Sequence, residues 1–229
     1  MIGGRVAGEG LRPVVLIHGA LRSRVGLWPT AAWLGRHGLR ALPFGYATRR
    51  GALDDHADAL AHFLDARLSR APVPVLGFLT HSMGGLVARA YLARHAERHA
   101  RHYRVVMLSP PNRGAELAEK NRGNPLMRWI YGRAAEQLRP AMVQRMPDLP
   151  PQARVLVLAG GRGDPRGYNR FITGDDDGVV GVAEMGLPGV EPTLVGGVHG
   201  LLQWRPAVLE RAVDFLRQDQ GAPASASDR

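Results

Sequence analysis

The chain has 229 residues, a formal charge of +10 and no cysteine. That length holds one full core without demanding a second domain, and the missing thiols exclude disulfides and thiolate metal sites. The positive charge is almost all arginine, scattered along the chain with Lys120 as the sole lysine, so no nucleic-acid interface is expected, because one would need clustered basic and aromatic residues.

Residues 1–12 are Gly- and Arg-rich and read as an N-terminal extension without the apolar core of a secretory signal. Val14-Val15-Leu16-Ile17 is a continuous apolar run ending at His18-Gly19, the pattern of a strand buried on both faces. Trp28 to His37 reads as a helix, with Pro29 in its first turn. A short strand over Leu39 to Leu42 precedes a helix from Leu53 to Ala71, whose Leu53, Ala57, Leu60, Ala61, Leu64 and Leu68 share one face. Strands at 73–79 and 104–109 flank a helix at 83–96. Asn112 to Pro151 interrupts the rhythm with about forty residues, including a helix-like piece from Pro125 to Leu138. Arg154 to Ala159 is the next strand, the Gly- and Asp-rich stretch 160–188 is mostly loop, and Pro192 to Val198 is the last strand. Pro206 to Arg217 is the final helix, and 219–229 is a polar tail of disordered composition. Alternating strands and helices predict a parallel sheet covered on both faces. No apolar run approaches the ~20 residues that cross a bilayer. A soluble, cytoplasmic protein without cofactor or metal is expected, its oligomeric state open.

The chemistry concentrates at Thr80-His81-Ser82-Met83-Gly84-Gly85. A serine between an apolar strand and a helix start stands clear of the sheet, and the free N–H groups behind it favour an oxyanion. Serine acyl transfer also needs a base, an orienting carboxylate and donors for the tetrahedral oxygen. Ser82, Asp177 and His199 follow the chain order Ser, acid, His.

Five segments carry a resemblance. His18-Gly19-Ala20 after a strand resembles the His-Gly oxyanion turn of bacterial lipases and esterases. Residues 80–85 look like their nucleophile elbow, Asp177-Gly178-Val179-Val180 like their acid loop, and Val198-His199-Gly200 falls at the histidine position. Pro110-Pro111-Asn112-Arg113-Gly114 is similar to the segment after the sixth strand of small lipase-like members. The match spans about Pro13 to Leu216. It implies an α/β-hydrolase fold, in a minimal form of about six strands lacking the first hairpin. It also implies cleavage of a small-molecule or lipid-like carboxylic ester through an acyl-enzyme on Ser82, with Met83 and Ala20 supplying the oxyanion hole. One position departs from the elbow pattern G-x-S-x-G: Thr80 replaces the first glycine, so the backbone must accommodate its bulk.

Several alternatives stand beside this reading. A thioesterase or an acyltransferase would use the same triad, and a non-catalytic binding protein could keep the fold. Asp164, nearer the end of strand 154–159, competes with Asp177 for the acid, and Asp175 to Asp177 could bind Ca²⁺, although they lack alternating ligand spacing. His95, His99 and His102 have near-helical spacing that suits a metal, but the interleaved Arg94, Arg98 and Arg101 favour a solvated basic face. His37, His56 and His62 fall on predicted surface helices. Leu21, Leu126, Trp129 and Ile130 are candidate substrate contacts. The 112–151 segment is either a lid-like acyl pocket or a cap on the core.

Overall fold

The computed structural model describes residues 11–68, 70–126, 129 and 132–218. Its centre is a six-stranded sheet in the order β2-β1-β3-β4-β5-β6, with every neighbouring pair parallel. The strands are β1 (Pro13–Ile17), β2 (Arg40–Phe44), β3 (Val73–His81), β4 (Ala100–Leu108), β5 (Ala153–Ala159) and β6 (Thr193–Leu194). Between them run α1 (Trp28–Arg36), α2 (Leu53–Asp65) and α3 (Met83–His95), and the chain's final helix is Pro206–Arg217. The segments expected at the N-terminal extension and the polar tail lie outside the described residues, apart from Leu11 and Arg12.

Alternation along each strand sorts the side chains into two cores. Val15 and Ile17 of β1, with Leu76 and Phe78 of β3, face α2 and α3. Val14 and Leu16, with Leu79, face α1 and the final helix. All of these strand residues are nearly or wholly buried, each contributing roughly 1.5–3 kcal/mol. Helix α3 is buried from Met83 through Leu92, as befits a helix apolar nearly all round. Gly77 is required because a Cβ there would lie 2.8 Å from Val14 Cγ2.

Three expectations change. The last strand stops at Leu194, because Gly196 and Gly197 take positive φ and turn the chain outward. Helix α2 ends at Asp65 rather than Ala71, consistent with Pro72 disfavouring helix at the residue before it. The arginine- and histidine-bearing end of α3 and the turn after it are not a merely solvated basic face. Asp58 of α2 accepts from Arg94 at 3.0 and 3.1 Å and pairs with His95 at 2.8 Å. One heptad on, Asp65 accepts from Arg98 at 2.7 Å and pairs with His99 at 3.1 Å. The two helices are thereby clamped, and no group of histidines or carboxylates among the described residues could hold a metal.

Among its described residues the interrupting segment holds short turns of helix, Glu116–Lys120, Ala134–Gln137 and Pro140–Val143. Val143 is fully buried in the α2/α3-side core, with Leu138, Met146 and Leu149 packed against it. No helix among the described residues is long and apolar enough to cross a membrane.

Candidate active site

Ser82 occupies the single residue between β3 and α3, at φ 53° and ψ −128°. A non-glycine residue rarely adopts such a backbone, and elbows of this kind hold it because both flanks are locked. The Ser82 N–H donates to the Leu108 carbonyl at 2.9 Å, extending the β3–β4 ladder, while its own carbonyl accepts from Gly85 N–H at 2.9 Å. Thr80 fits because its hydroxyl donates to the Val106 carbonyl at 3.3 Å. Gly85 is crowded from another side, since a Cβ there would sit 3.0 Å from Pro110 Cβ and only in ordinary contact, 3.5 Å, with Thr80 Oγ1. Gly84 has no freedom at all: a Cβ would lie 2.6 Å from the Ile17 carbonyl oxygen.

The loop after β1 lies against this elbow. A Cβ on Gly19 would meet Ser82 Cβ at 2.9 Å. The loop is held from the segment after β2, which sequence reasoning did not single out. Tyr46 Oη donates to the His18 carbonyl at 2.8 Å, Thr48 Oγ1 accepts from Leu21 N–H at 3.2 Å, and the His18 and Tyr46 rings stack at 4.5 Å. Leu21 takes φ 58°. His56, expected on a surface, is buried and packs on Tyr46 at 4.6 Å, so it belongs to this support.

Asp177 and His199 are brought together from loops far apart in sequence. His199 Nδ1 and Asp177 Oδ2 lie 2.7 Å apart. An ionised carboxylate only accepts, so Nδ1 carries the proton and Nε2 is left with a lone pair in the neutral ring. Asp177 Oδ1 accepts from the N–H groups of Val179 and Val180 at 3.0 and 2.9 Å. Burial pushes this carboxyl up, but the hydrogen bonds from His199, Ser109 and Val180 outweigh burial and hold it below the usual carboxylate range. Ser109 is a second residue not singled out from sequence. It sits fully buried just after β4 at φ 46° and also accepts from Gly160 N–H at 3.0 Å.

The distance of Asp177 from β5 in sequence is closed in space. Gly160, the residue after β5, lacks the Cβ that would strike Asp177 Cβ at 2.8 Å. Asp164, the competing acid, instead accepts from Arg166 N–H at 2.8 Å and pairs with Arg162 at 2.9 Å. Asp175 accepts from the Arg162 and Gly163 amides, and Asp176 from those of Asn169 and Gly178. The three consecutive carboxylates thus point to three different partners, and each organises the loop.

His81 connects the two halves. Its Nε2 donates to the His199 carbonyl at 2.9 Å, and the two rings lie 4.7 Å apart. Burial, reinforced by the nearby His199, pushes the His81 imidazole down to about 3, so it stays neutral. Among the described residues the half-exposed Ser82 hydroxyl makes no side-chain hydrogen bond. In free enzymes that contact is commonly long and tightens around substrate.

Of the candidate substrate contacts, Leu21 is half-exposed at a cavity of about 320 Å³ that His18 also lines. Leu126 and Trp129 are exposed, the Trp129 ring lying under the Arg49 guanidinium at 5.3 Å. Ile130 lies outside the described residues.

No protein-family model and no curated protein matches the chain. Solved structures do. The mature form of lipase BlEst2 from Bacillus licheniformis superposes with a TM-score of 0.68 at 17% identity, over 91% of this chain and 88% of that one. A metagenomic carboxyl esterase, MGS0156, gives 0.66 at 18% identity over 93% and 77%. The type II thioesterase BorB from the borrelidin biosynthetic cluster gives 0.55 at 20% identity over 93% and 94%. At these identities the likeness is one of fold.

Proposed function

We propose that this chain, which has the α/β-hydrolase fold, is a serine hydrolase of carboxylic esters. The observation that carries the proposal is the 2.7 Å bond between His199 and Asp177, seated against the strained elbow of Ser82 through His81. Ser82 Oγ attacks the ester carbonyl as His199 Nε2 takes its proton. Asp177 keeps the imidazole in the Nδ1–H tautomer and stabilises the imidazolium. The backbone N–H groups of Met83 and Ala20 receive the oxyanion, each worth about 3 kcal/mol in the transition state. His199 returns the proton to the leaving oxygen, and water, activated by the same base, releases the acid. The substrate is a small-molecule or lipid-like ester.

The test is covalent. A fluorophosphonate probe is expected to label the wild-type chain at Ser82 and not Ser82→Ala, and the variant is expected to lose at least ~10³-fold in p-nitrophenyl acetate turnover. Labelling at another residue, or full activity in the variant, overturns the assignment. The likeness to a thioesterase favours a second reading, in which the acyl group arrives on sulfur; a thioester panel run beside the oxygen esters separates the two.

A further inference from the structure

Three of the four tryptophans are exposed, Trp28 and Trp129 by 67% each and Trp204 by 40%. Tryptophan is highly buried on average, so three open indoles in one chain need a reason. Every strand of this parallel sheet ends at the same edge. The segments that carry the three rings all follow strand ends: Trp28 after β1, Trp129 after β4 and Trp204 after β6.

Contacts join these segments into one rim. Trp204 Nε1 donates to the Gly26 carbonyl at 3.2 Å. Arg22 donates to the Gly200 carbonyl at 3.0 Å, and its guanidinium lies over the Trp204 ring at 5.2 Å. The loop after β2 continues the rim, since Thr48 Oγ1 accepts from Leu21 N–H and a Cβ on Gly45 would meet Arg24 Cβ at 2.9 Å. Arg49 then donates to the Trp129 carbonyl and lies over its ring. Val25 and Leu201, in the turns that Arg22 ties together, are also more than half exposed.

The rim carries charge of one sign. No Asp or Glu occurs between Glu9 and Asp54, or between Glu191 and Glu210, so the loops after β1, β2 and β6 hold arginine and no carboxylate. Arg94, Arg98, Arg139 and Arg162 are paired with carboxylates. Among the described residues no carboxylate pairs with Arg22, Arg24, Arg49 or Arg50. Clustered exposed apolar groups mark an interaction site. Indole rings favour the headgroup level of a bilayer, and arginines there are drawn to anionic lipid. A second copy of the chain suits the face poorly, because a two-fold contact would set arginine against arginine.

We propose that this rim docks the protein on the surface of an anionic lipid bilayer. The arginines meet the headgroup phosphates, and Val25, Trp28 and Trp204 enter the headgroup layer. The docking itself does not depend on hydrolysis. Its consequence rests on the ester-hydrolase reading above: the loop after β1 lies against Ser82, so the docked molecule meets its ester at the bilayer surface.

The test uses full-length Ser82→Ala, so that no lipid is turned over. Its co-sedimentation with vesicles of phosphatidylcholine and phosphatidylglycerol in equal parts is compared with that on phosphatidylcholine alone. Binding to the anionic vesicles is expected to be at least about tenfold tighter and to weaken as salt is raised. Adding Arg24→Gln and Arg50→Gln together is expected to weaken it at least about tenfold. Val25→Ser with Trp28→Ala is expected to weaken it about tenfold and to reduce the blue shift of tryptophan emission on the vesicles. All four positions are exposed, so both double variants are expected to keep the parent's Tm and, with Ser82 restored, p-nitrophenyl acetate turnover within about twofold.

Binding to neither vesicle, or equal binding to both, overturns the proposal and leaves the hydrolase reading intact. Anionic binding that both double variants leave unchanged overturns it as well. A chain that is dimeric in solution and becomes monomeric with Val25→Ser and Trp28→Ala assigns the face to a second copy instead. Should a double variant melt lower, quenching of the parent's tryptophan emission by brominated acyl chains decides in its place, and no quenching overturns the rim. Vesicle binding without fluorophosphonate labelling of Ser82 in the wild type overturns the hydrolase reading alone.

Discussion

His81 donates from Nε2 to the main-chain carbonyl of His199 across 118 residues of sequence. The residue before the proposed nucleophile therefore holds the residue proposed as base. To make that bond His81 is buried without a proton on Nδ1, and burial lowers its pKa from 6.5 to about 3. Between those values the unfolded chain binds a proton that the folded chain does not. The stability from this group is complete above about pH 6.5 and is lost as the pH falls toward 3, at up to ~1.4 kcal/mol per pH unit. Urea midpoints are expected to fall from pH 7 to pH 4.5, with a shallower fall in His81→Gln. Parallel curves for the two proteins would exclude a buried neutral imidazole.

Asp177 and Asp164 separate by kinetics. Asp177→Asn leaves His199 Nδ1 facing an amide and is expected to lower kcat by about 10³–10⁴-fold. Asp164 caps its own turn and pairs with Arg162, so Asp164→Asn is expected to stay within about twofold of wild type, surface substitutions being usually near neutral. The reverse pattern would make Asp164 the orienting acid.

Gly84→Ala is expected to damage both stability and turnover. Its Cβ would stand 2.6 Å from the Ile17 carbonyl oxygen and 2.8 Å from that of His18. Both neighbours are backbone at the end of β1, so the elbow has to move away from the loop after β1, the proposed oxyanion hole. A loss of roughly 1–3 kcal/mol in denaturant melts is expected, with kcat falling further than fold loss explains. Wild-type values for both would show that the loop and elbow can separate freely.

The segment 112–151 is testable as cap or lid. Val143→Ala removes a fully buried side chain and is expected to cost about 2 kcal/mol. Trp129→Ala removes an exposed one and is expected to stay within about 0.5 kcal/mol. Near-equal stabilities, joined to activation of the wild type above a detergent's micellar concentration, would point to a segment that lifts off the sheet.

Much of the fold is legible because local pattern and tertiary environment agree. Val14 to Ile17 and Val105 to Leu108 are apolar without interruption, and a strand covered on both faces requires that. The final helix carries one apolar stripe from Val208 to Leu216, and the structure ends it at Arg217 as the spacing predicts. The irregular stretches read less well. Gly196 and Gly197 shorten β6 through positive φ, which no hydrophobic run announces. The basic stripe on α3 and the turn after it looks solvated until α2 sets Asp58 and Asp65 beside it.

Residue chemistry and chain order determine by themselves the parallel sheet and a serine at a strand-to-helix turn, because those depend on periodicity and on steric limits within a few residues. Which aspartate meets His199, which residues support it from behind, and which polar groups are left unpaired are decided only by folding. The partners Ser109, His81 and Tyr46 come from separate parts of the chain, and hydrogen bonding acts over about 3 Å of space whatever their separation in sequence.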